Sequence, residues 1–163
     1  MIPWNERPTI AANLLNPAFC GEVLRRSIQS FQDGGHACFP YPLMFVILPI
    51  LLHQETRQTL PGTTRTSFFE WITEHQHVKV HFYERAKSLV PYTREAFLFL
   101  LQHQAVEVHE NGMLSVKPYR RKKLPDSGKE EIEEIFSKAA FLGKWFSRSG
   151  DVKTIFAMLG IKP

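Results

Sequence analysis

Residues 41–61, YPLMFVILPILLHQETRQTLP, carry the reading that decides the fold. Ten consecutive apolar residues, Leu43 to Leu52 with Pro49 among them, run directly into His53, Glu55 and Arg57. Spanning a bilayer takes about 20 apolar residues, so this run is too short to be an anchor. An amphipathic surface helix would show a polar face, and none is present before His53. What remains is a central helix enclosed on all sides, bent or interrupted at Pro49. Its end is expected to deliver His53, Thr56 and Arg57 to a capped surface turn that closes at Pro61.

Outward from that stretch, the chain has 163 residues, enough for one ordinary core. A hydrophobic share of 44% with 22% charged residues is that of a soluble globular protein, not a disordered one. Thirteen Phe against four Tyr is a heavy apolar aromatic load, and part of it is expected to seal against a partner. The opening MIPWNERP has no charged and then apolar leader, and Cys20 and Cys38 make no disulfide framework. A reducing, cytoplasmic setting is the expectation.

Before the opening stretch, NPAFCGEVLRRSIQSF reads as a helix with Asn16 as cap and Pro17 at its first position. After it, Ser67 and Glu70 form a capping box for a short helix. HVKVHFYERAKSLV reads as another helix, broken by Pro91, and YTREAFLFLLQHQ as a third from Tyr92 to His103. The alternation Val106, Val108 and Leu114, Val116 about ENG then reads as a hairpin over 105–117. The fold class expected is mainly α with one β-hairpin, holding a winged helix-turn-helix-like unit at about 66–117. Its third helix carries Phe97, Leu98, Phe99, Leu100 and Leu101, which is poor chemistry for reading bases in a groove. Protein binding suits it better.

LPDSGKEE marks a hinge, so the chain is expected to divide into residues 1–124 and a C-terminal helical hairpin, 125–163. Ser127 and Glu130 make a further capping box for its first helix. Phe141, Trp145, Phe146, Ile155, Phe156 and Leu159 give that hairpin more apolar surface than it can bury alone. With Phe97 and Phe99 they form the expected partner-binding set. Lys117, Arg120, Arg121, Lys122 and Lys123 just past the hairpin are the candidate nucleic-acid contacts, salt-sensitive and blind to sequence. A solvated linker is the equal alternative for them.

Catalytic readings are weak. His53 and Glu55 could form an acid–base pair, but no nucleophile accompanies them, and an imidazolium at a helix end suits the negative dipole. His77 and His81 stand one helical turn apart without the further ligands of a zinc site, and scattered surface histidines account for them. Neither GxxxxGK[ST] nor GxGxxG occurs, so the chain is expected to bind no ATP of its own and to need no cofactor.

Four blocks together resemble one family, the middle component of bacterial three-component ABC-ATPase systems. They are NLLNPAFCGEVLRR, FPYPLMFVILPILLHQETRQTLP, VPYTREAFLFLLQHQAVEVHENGML and FLGKWFSRSGDVKTIFAMLGIKP, in order and over nearly the whole chain. Gln54 and Glu55 depart from the expected tail, so nothing catalytic is carried over there. The resemblance implies Asn16, Pro17, Pro49, His53, Thr56, Arg57 and Pro61 as structural signature residues. It also implies a non-enzymatic adaptor in defence against phages and plasmids, including systems of the Lamassu type. Its partners would be an SMC- or Rad50-like ATPase and a third, often nuclease-like effector, with non-specific DNA contact as an auxiliary. A winged-helix DNA-binding regulator is the other class of function.

Overall fold

The computed structural model describes residues 15–117 and 129–161. The expected boundary at 124 and the Ser127 cap fall outside them. Helix α1 (Pro17–Asp33) starts as its sequence dictates: the Asn16 Oδ1 accepts the Ala18 N–H at 2.8 Å, and Pro17 needs no N–H partner there. Its stripe of Cys20, Val23, Leu24, Ile28 and Phe31 is buried, and it packs against the helices formed by residues 82–102 and 129–146.

The opening stretch folds as expected at its centre. A 3-10 turn (Tyr41–Leu43) leads into α2 (Met44–Leu51), where every residue except Phe45 is buried. Pro49 lies inside α2 without breaking it, and the helix stops two residues later. A separate short helix, α3 (Gln54–Thr59), follows at a sharp corner, then α4 (Phe68–Glu74) with both bonds of the Ser67–Glu70 capping box.

The expected pair of helices around Pro91 is one helix, α5 (Phe82–Gln102), with Pro91 inside it. Proline there removes one backbone bond, but it sits on an exposed position. Phe82 and Ala86 before it and Thr93, Ala96 and Leu100 after it continue one buried face, which holds the two halves in line. The Thr93 hydroxyl adds a bond to the Leu89 carbonyl at 3.0 Å. The start also shifts. Val78 belongs to a 3-10 turn (Gln76–Lys79), Val80 is extended and His81 is left-handed at φ 53°, so α5 begins only at Phe82.

The hairpin is present as β2 (Val106–Val108) and β3 (Met113–Val116), turned through Gly112 at φ 74°, a conformation glycine adopts without strain. It is not alone. β1 (Phe39–Pro40) pairs with β3, giving a three-stranded antiparallel sheet in the order β1-β3-β2. A unit confined to 66–117 would lack β1. Gln32 of α1 ties the sheet down, accepting the Val116 N–H at 3.0 Å and donating to the Ala37 carbonyl at 2.7 Å.

Helix α6 (Lys129–Phe146) lies along α1. A Cβ on Gly143 would run into the Ser27 carbonyl, and the Ser27 hydroxyl donates to the Ala139 carbonyl at 2.9 Å, so the two backbones approach closely there. The chain then turns into α7 (Val152–Met158), capped by Asp151 and terminated near Gly160 at φ 74°. The two C-terminal helices therefore close the same core as α1, α2 and α5.

Candidate functional site

The residues after the buried run form a junction among four helices, and each bond in it follows from an unfilled helix end. The last carbonyls of α2 have no helical N–H to accept from. The Arg57 Nη1 donates to the Leu51 carbonyl at 2.8 Å, and the Arg85 Nε donates to the Pro49 carbonyl at 3.2 Å. Arg57, only 3% exposed, also reaches Glu131 at 3.1 Å and Glu134 at 3.2 Å on the first turns of α6. One guanidinium thus joins the end of α2 to the start of α6. Its planar fork of donors suits such a double role better than a lysine would.

His53 completes the corner. As N-cap of α3, its Nδ1 accepts the Thr56 hydroxyl at 2.8 Å and the Thr56 N–H at 3.3 Å, which places the ring proton on Nε2. The Arg85 Nη2 in turn donates to the Thr56 Oγ1 at 3.4 Å. Burial, and then the Arg85 charge, push the His53 pKa below its ordinary value; Glu55 opposes them. The imidazolium expected at the C-terminal end of α2 is therefore replaced by a neutral ring that caps the next helix.

The structure sorts the expected partner-binding residues into two groups. Trp145, Phe146, Ile155 and Leu159 are buried in the chain's own core. Trp145 packs edge-on against Phe68 and Trp71, with ring centroids at 5.0 Å and 5.4 Å, and its indole N–H donates to the Thr66 carbonyl at 2.7 Å. The Trp71 indole does the same to the Thr59 carbonyl at 2.8 Å, so the loop carrying Pro61 is held from two sides. Phe97, Phe99, Phe141 and Phe156 remain half-buried. Phe99 rests on His103 at 4.2 Å and Phe141 on Trp145 at 5.4 Å.

Phe156 lines an open apolar pocket of about 250 Å³ with Phe45, Val46, Tyr83, Ala86, Val90 and Ile161, and Lys87 at its edge. Sequence reasoning missed Phe45, Tyr83 and Val90 as a group, and it missed Arg85. Tyr83, Arg85 and Val90 lie on one helix before Pro91, and only the tertiary approach of α2 brings Phe45 beside them. Lys117 is described and pairs with Glu107 at 3.8 Å; Arg120, Arg121, Lys122 and Lys123 lie outside the described residues.

Burial, with Glu95 behind it, pushes the Cys20 thiol up to about 12, far from a nucleophile's range. Among the described residues no group of His, Cys, Asp and Glu could hold a metal, and no helix is long and apolar enough to cross a membrane.

Comparison with curated proteins and with solved structures found no match. The family model described as ABC-three component (ABC-3C) system Middle Component 3 matches residues 4–163. That span includes the α2–α3 junction, the apolar flank of α5 and the C-terminal helices, and the chain belongs to this family of middle components.

Proposed function

We propose that the chain is a non-enzymatic adaptor that holds the ATPase of its system to a third, effector component. The observation that carries this reading is the family match over residues 4–163, since a middle component implies the others. The fold supports it: the residues nearest to an active-site constellation, His53, Glu55 and Arg57, are a helix cap, an exposed neighbour and a helix-end clamp. On this reading the ATPase is SMC- or Rad50-like, the effector is nuclease-like, and the system is a defence against phages or plasmids of the Lamassu type. The sequence of α1, β1, α2 and later α5, β2, β3, with β3 between the other strands, supports a winged-helix-like arrangement that begins at α1. Its long helix presents apolar side chains to a partner, and the basic stretch from Lys117 to Lys123 touches nucleic acid without selecting sequence.

Co-expression of the chain with the ATPase and effector proteins of its own system tests this. The expected result is one assembly that co-elutes and falls apart into ATPase and effector when the chain is omitted. A chain that stays monomeric beside both proteins overturns the adaptor reading.

A further inference from the structure

The open flank of α5 has a pattern that neither the core nor a solvated face requires. At helical spacing, Tyr83, Lys87, Val90, Arg94, Phe97 and Leu101 fall on one stripe, apolar and cationic by turns, with no acid on it. Tyr83 is 51% exposed, Lys87 and Arg94 are exposed, and neither cation makes an ion pair among the described residues. The opposite wall comes from α2 and the turn before it. Phe45 and Val46 line the pocket with Tyr83 and Val90, and Tyr41 meets Phe45 and Phe97 edge-on, with ring centroids at 5.3 Å and 5.5 Å. Phe156 of α7 closes the near end. From Tyr83 to Phe97 the stripe runs about 21 Å, four turns of a helix.

We propose that this groove receives an amphipathic helix of the ATPase component, whose apolar side chains fill the pocket and whose acidic flanks meet Lys87 and Arg94. The assignment rests on the adaptor reading and specifies its contact surface. A pocket of about 250 Å³ takes one or two large apolar side chains, the anchors of helix-in-groove recognition. The two cations, unpaired among the described residues, choose the charge of the occupant, because complementary charge sets partner choice and encounter rate. An apolar floor between them is the wrong surface for a phosphate backbone, which wants cations and donors without intervening aromatic rings.

The test is titration of the purified ATPase component of the same system with the wild-type chain, Lys87→Glu/Arg94→Glu, Lys87→Ala/Arg94→Ala and Val90→Asp. Thermal unfolding of each variant is measured alongside; Lys87 and Arg94 are exposed, so their variants are expected to keep the fold even if Val90→Asp does not. The charge reversal is expected to weaken binding about tenfold or more, the alanine pair less, and added salt to narrow the difference. Unchanged affinity of folded Lys87→Glu/Arg94→Glu overturns the groove assignment while leaving the adaptor reading standing. No binding by the wild-type chain to either the ATPase or the effector removes the adaptor reading itself. Concentration-dependent self-association that the variants abolish, or duplex binding lost in place of ATPase binding, overturns the assignment in favour of a second copy or nucleic acid.

Discussion

The aromatic face of α6 and α7 and the flank of α5 are alike in composition and opposite in use. Trp145, Phe146, Ile155 and Leu159 close on Phe68 and Trp71 and are sealed inside. Tyr83, Leu98 and their half-buried neighbours Val90 and Phe97 stay open. The difference lies in what stands opposite. The indole N–H of Trp71 finds a helix-end carbonyl and that of Trp145 a loop carbonyl, so burial there leaves neither indole N–H unpaired. On α5 the apolar side chains alternate with Lys87 and Arg94, whose charges could not be buried without acids, and neither pairs with one among the described residues.

The strongest way to break this comparison is to cut one side chain from each region. Trp145→Ala is expected to cost about 4 kcal/mol, near 10 °C in Tm for a domain of this size. Tyr83→Ala should stay within about 0.5 kcal/mol, as a half-exposed surface residue does. Thermal unfolding checks both, and equal losses would erase the distinction between sealed and open faces.

A second, smaller effect tests the junction that joins the halves. Arg57→Ala leaves the buried Leu51 carbonyl without a donor, which costs about 1–3 kcal/mol. The lost pairs to Glu131 and Glu134, 71% and 44% exposed, add little. Arg57→Lys should recover only part of the loss in urea denaturation, because one ammonium cannot replace the fork. Full recovery by lysine would mean that charge, not the capped carbonyl, holds α2.

The smallest effect is a pH dependence at His53. Its folded pKa lies below its unfolded value, so the unfolded chain binds more protons as pH falls. The stability from this cap is therefore present above about pH 6.5 and lost on descent through the folded pKa, when Nδ1 is protonated and can no longer accept from Thr56. His53→Asn, an equally good cap without that titration, should keep most of the roughly 1 kcal/mol and flatten the profile. A wild-type profile identical to that of the asparagine variant would contradict the neutral-cap assignment.

The parts of this fold that local rules control were legible in the sequence. The Asn16 and Ser67 caps, the buried run from Leu43 and the hairpin about Asn111 and Gly112 all follow from short-range chemistry. Non-local features were not. β1 is two residues, Phe39 and Pro40, too short to show a period, and it exists because β3 offers an edge. Pro91 marks a helix end locally, yet the continuous buried face on either side of it overrides that signal. Trp145 and Phe156 both lie in the apolar C-terminal stretch, and only packing assigns one to the core and the other to a pocket rim. Arg57 was marked by the signature tail as structural, but its partners on α6 are more than seventy residues away.

Backbone amide exchange of the chain alone and bound to its ATPase component tests the central claim most directly. The account predicts new protection at residues 44–46 and 83–97 and around Phe156 on binding, with residues 142–146 already protected in the free chain and unchanged. New protection confined to 142–146, with the α5 flank unaffected, would contradict it.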